Sequence, residues 1–230
     1  MREQIQRKLK ESSETDYKAF NCKLNPGVDP DRVLGVRLPV LRETAKEIAR
    51  GDFRGYIREL PQDCFFEERM IHGMILGYCK VDWEDWCGLV EDFVPHIKDW
   101  ATCDSAAMTM KAIKKYHEEG WAFLQQFLQS KDEFSRRFGA VMLLAHYVRA
   151  DYIDRVLEAY EKIDKAPYYV MMAVAWGISH CYVAFPKKTE AFLEKESLDI
   201  KTHNKAIQKI RESNRVDRKE KERLRGMKRT

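Results

Sequence analysis

The chain has 230 residues, a length that is enough for a sizeable core in one extended domain or two small ones. Its formal net charge is +4. No apolar run approaches the roughly 18 residues that span a membrane, and the N-terminus lacks the apolar stretch of a secretory signal. The six cysteines form no Cys-x-x-Cys pair, and the six histidines show no paired ligand spacing. We therefore expect a cytoplasmic protein with buried thiols and with no metal site or disulfide framework.

Positive charge is concentrated at the C-terminal end. Residues 201–230 hold 12 Lys and Arg against 4 Asp and Glu, a net of +8, whereas the other 200 residues carry a net of −4. A basic end of this kind attracts phosphate groups or an acidic membrane surface, although a solvated helix explains the same charges. We expect residues 1–212 to form one domain and residues 213–230 to form a basic C-terminal tail.

The predicted elements are all helices. The first covers residues 1–20 and is followed by a turn-rich loop with two prolines and a glycine. Pro39 suits the first turn of the next helix, which stops at Gly51. Asp63 can cap a helix that extends to Leu76. The remaining predicted helices cover residues 83–97, 104–116, 121–128, 134–148, 152–163, 167–183, 189–193 and 203–210.

The order of these helices predicts a repeat architecture. No stretch alternates apolar and polar residues as a strand does. Second helices of successive pairs begin near Cys64, Asp104, Phe134 and Pro167, which gives a period of about 30–40 residues, typical of helical-hairpin solenoids. The tetratricopeptide pattern fits poorly, so we predict an all-α, right-handed solenoid of HEAT-like hairpins with a concave basic groove lined by the second helices.

Four residues on these second helices, or just before one of them, are candidates for chemistry, namely Trp100, Asp104, Arg137 and Trp176. Each has an ordinary structural explanation. Asp104 suits a helix N-cap, the two tryptophans suit hairpin core, and Arg137 suits a surface arginine whose stem covers apolar area. Because they occupy matching places on successive repeats, we expect them to face one groove.

The combination of Trp100-x-x-x-Asp104-Ser105, Arg137 and Trp176 resembles the HEAT-like repeat DNA glycosylases of the AlkD type, which remove alkylated purines. An early Gly35-Val-Arg-Leu-Pro-Val-Leu-Arg segment and a late Asn204-Lys-Ala-Ile-Gln-Lys-Ile helix extend the resemblance to about residues 30–212. The separate motifs are short, and their order and spacing make the match specific.

The resemblance implies roles for particular residues. Asp104 would be the catalytic carboxylate, and Trp100 and Trp176 would be aromatic walls against the nucleotide that carries the lesion. Contacts with the DNA backbone would come from Arg137, Arg37, Lys205 and Lys209. The partner would be double-stranded DNA with alkylated bases, bound by a monomer that needs no cofactor and no membrane.

The implied reaction suits this small set of residues. A purine of the 3-methyladenine or 7-methylguanine type carries a positive charge, so it leaves without a general acid, and the second carboxylate of ordinary glycosidases is not required. One fixed carboxylate stabilises the cationic sugar and positions water. The resemblance also implies catalysis without drawing the base into a tight pocket, unlike the usual flipping strategy.

The sequence departs from the family pattern in two places. Ser179 occupies a position where the family has a basic residue that contacts the DNA backbone. At the N-terminal end, the family's aromatic contact has two candidates in this sequence, Tyr17 and Phe20. Two alternatives therefore stay open beside the glycosylase. One is a non-catalytic HEAT-like protein that binds bent or branched DNA, and the other is a helical-repeat scaffold for protein partners.

Overall fold

The computed structural model describes residues 1–230 and contains fourteen α-helices and no β-strand, which confirms the all-α class. The α-helices are α1 (Arg2–Glu11), α2 (Thr15–Leu24), α3 (Leu38–Ala49), α4 (Phe53–Arg58), α5 (Phe66–Tyr78), α6 (Trp83–Phe93), α7 (Trp100–Thr109), α8 (His117–Leu128), α9 (Glu133–His146), α10 (Ile153–Lys162), α11 (Tyr168–Ala184), α12 (Pro186–Glu194), α13 (Ile200–Glu212) and α14 (Arg218–Arg225). Short 3-10 helices cover Pro30–Arg32, Val94–His96 and Lys111–Lys115. None of the helices combines the length and the apolar character needed to cross a membrane.

The chain divides into two compact units, Met1–Phe123 and Leu124–Thr230. In the first unit α5 packs against α3 on one side and α7 on the other, while α4 and α6 pair with α3 and α5. In the second unit α11 packs between α9 and α13, and α10 and α12 pair with α11. Each unit is therefore built from helical hairpins whose second helices lie side by side.

The second helices recur at a regular interval along the chain. They begin at Phe66, Trp100, Glu133 and Tyr168, which are 33 to 35 residues apart and within the interval expected from the sequence. A central second helix must be apolar on most of its surface because neighbours cover it on several sides. Helix α11 shows this, with buried positions from Val170 to Tyr182 on every turn.

The N-terminal helix predicted for residues 1–20 is two helices, so that expectation was wrong. The break falls at residues 12–14, where the backbone leaves the helix to form an isolated antiparallel bridge between Ser13 and Val36. The N–H of Glu14 also donates to the carbonyl of Gly35 at 3.0 Å. Serine side chains compete with the backbone for hydrogen bonds and so favour such breaks.

Asp63 does not cap α5, contrary to expectation. The N-cap residue is Phe65, whose N–H donates to the Glu68 carboxylate at 3.0 Å, and Asp63 instead pairs at the surface with Arg32. Glu68 is fully buried and also accepts two hydrogen bonds from Arg2, which fastens α1 to the start of α5.

The C-terminal segment folds against α13 through helix α14. Leu224 is fully buried, and the ring of His203 is hydrogen-bonded to the carbonyl of Met227 at 2.8 Å. Asn204 and Arg229 exchange two hydrogen bonds, at 2.7 and 2.8 Å. The basic residues beyond position 212 are thus held on a folded surface.

Candidate functional site

Asp104 lies in the interior of helix α7, and the expectation that a helix starts there was wrong. The helix begins four residues earlier, at Trp100, because Asp99 is the N-cap and its carboxylate accepts the N–H of Thr102 at 2.7 Å. Thr102 also donates its hydroxyl to Asp99 at 2.9 Å. A capping role for Asp104 is therefore excluded, and its carboxylate needs another explanation.

Helix α7 presents three side chains to one cavity from the same face. Trp100, Asp104 and Met108 are spaced at four residues, which places them in a row along a helix, and all three line one cavity of about 320 Å³. Close packing seats α7 on α5. A Cβ added to Gly73 would lie 2.5 Å from the Cβ of Ala106, so only glycine permits this approach.

The opposite wall of this cavity comes from helix α2. Tyr17 and Phe20 stack with ring centroids 5.9 Å apart, and both line the cavity although the Phe20 side chain is 53% exposed. The indole N–H of Trp100 donates to the carbonyl of Leu24 at 3.2 Å, which ties α7 to the end of α2. The complete lining is Tyr17, Phe20, Asn21, Leu24, Asn25, Val36, Leu38, Leu41, Arg42, Phe66, Met70, Trp100, Ala101, Asp104, Ser105 and Met108.

A buried carboxylate holds the loop that positions α2. Glu67 is fully buried and accepts the N–H groups of Leu34, Gly35 and Val36 at 3.0, 2.8 and 3.3 Å. Gly35 has a φ of 85°, which favours glycine, and a Cβ there would approach the carbonyl of Glu14 to 2.5 Å. The aromatic wall of the cavity therefore depends on this loop, the part of the sequence that reads Gly35-Val-Arg-Leu-Pro.

Arg37 leaves this loop toward the surface and is already paired there. Its Nε and Nη2 donate to the two carboxylate oxygens of Glu14 at 2.7 and 2.8 Å, and its guanidinium lies 4.8 Å from the ring centroid of Tyr17. The hydrogen bond from Arg37 lowers the pKa of the Glu14 carboxyl. Arg42, which lines the cavity itself, is exposed and has no ion pair.

The second unit carries a pocket of about 260 Å³ beside Trp176. Its walls are Trp176, Ser179, His180 and Val183 on α11, and Lys209, Glu212, Ser213 and Arg215 on and after α13. The ring of His180 meets the indole of Trp176 edge-on at 5.6 Å, and the Ser179 hydroxyl donates to the carbonyl of Trp176 at 2.7 Å. The side chain of Ser179 is therefore hydrogen-bonded to the backbone of its own helix.

Two cations reach this pocket from outside helix α11. Lys209 and Arg215 line it, and neither side chain makes an ion pair or a hydrogen bond. Burial lowers the pKa of His180, and the charge of Arg215 lowers it further. The pocket therefore combines an aromatic face, two unpaired cations and one carboxylate, that of Glu212.

The two remaining residues with a predicted DNA contact differ in exposure. Arg137 is 5% exposed, and its Nη1 donates to the carbonyl of Tyr169 at 2.6 Å in the first turn of α11. Lys205 lies half-buried on α13 and donates to Gln208 at 2.9 Å. Neither residue lines the pocket beside Trp176.

Sequence reasoning missed several residues of these pockets. Met108 could have been predicted from the four-residue spacing that also relates Trp100 to Asp104. Leu24 and Arg42 gave no signal, because their place at the cavity depends on the break before α2 and on the packing of α3. Arg215 is recognisable only once the chain after α13 is seen to turn back toward α11. No cluster of three or more His, Cys, Asp or Glu side chains is arranged to hold a metal ion.

Comparison with known proteins adds one finding to this geometry. A family model described as "DNA alkylation repair enzyme" matches residues 1–214, which include every residue of the cavity beside Asp104. Arg215 and helix α14 lie beyond the matched residues. Neither the curated proteins nor the solved structures include a match to the chain.

Proposed function

The chain belongs to the family of DNA alkylation repair enzymes, and from that premise we propose that it is a DNA glycosylase for cationic alkylated purines. The substrate is a purine of the 3-methyladenine or 7-methylguanine type in duplex DNA. The observation that carries the proposal is the position of Asp104, a carboxylate in the interior of a helix, directed into a cavity with aromatic walls and taking no part in the helix cap.

The proposed reaction is hydrolysis of the bond between C1′ of the sugar and the ring nitrogen of the purine. The electron pair of that bond moves to the purine, which cancels its positive charge, so the base leaves without protonation. Positive charge develops on the sugar and is stabilised by the carboxylate of Asp104. A water adds to C1′ and gives up a proton to Asp104 or to solvent, leaving an abasic site and a free base.

The surroundings of Asp104 support this role for a single carboxylate. Most of the cavity is apolar, with Leu38, Leu41 and Met70 among its walls, and charge interactions are stronger in such surroundings than in water. The indole of Trp100 lies one helical turn away, and an aromatic face stabilises a nearby cation by about 0.5–2 kcal/mol. Trp100 is held by its hydrogen bond to Leu24, so the face is fixed before substrate arrives.

Contacts with the DNA backbone are assigned to the basic residues of both units. Arg37 and Arg42 lie beside the first cavity, and Lys209 and Arg215 lie beside Trp176. We include Lys205 and Arg137 on the strength of the sequence resemblance. Ser179, which stands where the family has a basic residue, is joined in its pocket by Lys209 and Arg215, so cations remain available there.

The test is base release from a duplex that contains 7-methylguanine. Wild type should release the base, and Asp104→Asn should release none while keeping the same unfolding transition and the same affinity for DNA. Asp31→Asn is the matched control, because Asp31 is exposed and lies outside the cavity. Its release rate should equal that of wild type.

Other outcomes point to the two alternative functions. A wild-type protein that releases nothing but binds duplex or branched DNA with a steep dependence on salt is a non-catalytic DNA-binding protein. The Ser179 substitution is the observation that favours this second function. A protein that neither releases the base nor binds DNA is a helical scaffold for other proteins.

A further inference from the structure

A second cavity of about 430 Å³ lies in the first unit, on the other side of helix α5. Phe66 and Met70 face the cavity of Asp104, whereas Arg69 and His72 face this one, as expected from the 100° rotation per helical residue. The volume is in the range of small-molecule sites, about 300–1,000 Å³. Its full lining is Ile57, Leu60, Pro61, Gln62, Cys64, Arg69, His72, Asp92, His96 and Lys98.

Arg69 is the feature that indicates a ligand. Its Nε is fully buried and has no hydrogen-bond partner, and its guanidinium forms no ion pair. The charge of Arg69 influences the buried carboxyl of Asp99. Burial raises the pKa of Asp99, and the charge of Arg69 lowers it by a smaller amount. Both oxygens of Asp99 accept hydrogen bonds from Thr102, and neither oxygen forms an ion pair with Arg69 or a hydrogen bond with its Nε. Buried donors of this kind normally meet an acceptor.

The groups around Arg69 favour an anion. Lys98 lines the cavity and donates to the carbonyl of Pro95 at 3.2 Å, which leaves further N–H groups for a ligand. His72 and His96 add ring N–H groups to the same wall. The one carboxylate in the lining is exposed Asp92, which makes no ion pair with any of these cations.

Apart from Gln62, the remainder of the lining is apolar. One apolar wall lies beside the basic wall and is formed by Ile57, Leu60 and Pro61. These residues come from the end of α4 and the turn after it. We propose that this cavity binds a nucleoside monophosphate, with the phosphate on Arg69, His96 and Lys98 and the base against the apolar residues. The proposal does not depend on the glycosylase function.

Calorimetric titration of the full chain tests this site without any DNA. The probes are adenosine 5′-monophosphate, inorganic phosphate and adenosine, in a buffer free of phosphate. The monophosphate should bind in a one-to-one ratio, phosphate should bind more weakly, and adenosine should bind least. Equal affinities for phosphate and the monophosphate would overturn the assignment of a nucleotide, because the apolar wall would contribute nothing.

Variants locate the binding. Lys98→Ala and His96→Ala alter exposed side chains and should fold normally, and each should weaken binding of the monophosphate several-fold. Arg69→Gln should weaken it about tenfold or more, since it removes the charge that faces the phosphate. The control Lys80→Ala removes an exposed lysine outside the cavity and should change nothing.

Two further results would overturn the proposal. One is the absence of heat and of any thermal shift with millimolar monophosphate, and the other is binding that survives all three cavity variants. The second result would place the nucleotide elsewhere, for example at the pocket beside Trp176. Base release by Lys98→Ala should equal that of wild type in either case, so failure here is distinguishable from failure of the glycosylase proposal.

Discussion

The carboxylate of Asp99 accepts the N–H of Thr102 at 2.7 Å and the hydroxyl of Thr102 at 2.9 Å, so both of its oxygens serve the start of helix α7. Asp99 is nearly buried and Asp104, one and a half turns later, is half-buried in the wall of a cavity. The two carboxylates, five residues apart, therefore differ in their surroundings. Asp99 caps helix α7, and Asp104 lines the cavity.

This division predicts opposite effects of two substitutions on stability. Asp99→Ala should lower the free energy of unfolding by about 1–2 kcal/mol, because it removes a cap and leaves the N–H of Thr102 without its acceptor. Asp104→Asn should change it by less than about 0.5 kcal/mol. Urea denaturation of both variants measures the difference. Equal losses would mean that Asp104 also supports the fold.

The fold was largely accessible from the sequence, and the errors have local causes. Apolar residues at intervals of three and four mark each second helix, so their order and spacing were predicted correctly. The start of α7 was placed at Asp104 because the apolar run Ala106–Ala107 follows it, although Asp99 is the better cap. The break at Ser13 was missed because it depends on pairing with Val36, which lies 23 residues away.

The candidate site was only partly accessible. Trp100 and Asp104 share a cavity because they are four residues apart on one helix, a relationship that the sequence contains. The wall made by Tyr17 and Phe20 depends on how Glu67 holds the loop at Gly35, and no spacing rule reveals that contact. Both aromatic side chains line the cavity and stack as a pair, so both stay candidates for the N-terminal aromatic contact.

The ion pair between Arg37 and Glu14 gives a prediction about DNA affinity. A DNA phosphate must compete with the Glu14 carboxylate for the guanidinium of Arg37. Glu14→Gln should therefore tighten DNA binding, whereas Arg37→Gln should weaken it, and the double variant should resemble Arg37→Gln. Stability should barely change, because exposed pairs of this kind contribute little. Fluorescence anisotropy with a short duplex provides the measurement. Equal affinities of all four proteins would remove Arg37 from the interface.

Half-buried His72 predicts a loss of stability in mild acid. Burial, with a smaller effect of His96, lowers the pKa of His72 to about 4 from the ordinary value of 6.5. Between these values the unfolded chain binds the proton more readily than the folded chain, so the free energy of unfolding falls as the pH drops from 6.5 toward 4. Arg69, Lys98 and Asp92 line the same cavity as His72.

The measurement is urea denaturation of wild type and His72→Phe across that pH range in phosphate-free buffer. Phenylalanine keeps an aromatic ring against Phe93, which the histidine ring meets at 4.8 Å. The variant should lose less stability than wild type between pH 6.5 and pH 4. Parallel curves for the two proteins would show that His72 titrates normally in the folded state.

The unpaired cations beside Trp176 predict a change in the salt dependence of DNA binding. Each phosphate contact contributes about 0.9 to the slope of log affinity against log salt concentration. Lys209→Ala and Arg215→Ala should each reduce that slope by about this amount. Lys195→Ala is the matched control, because it removes the same charge from an exposed position outside the pocket, and it should leave the slope unchanged.

Equal slopes for all four proteins would mean that the pocket does not meet DNA. A smaller slope for Arg215→Ala would show that a residue beyond the family match takes part in binding, and would explain how the chain tolerates serine at position 179.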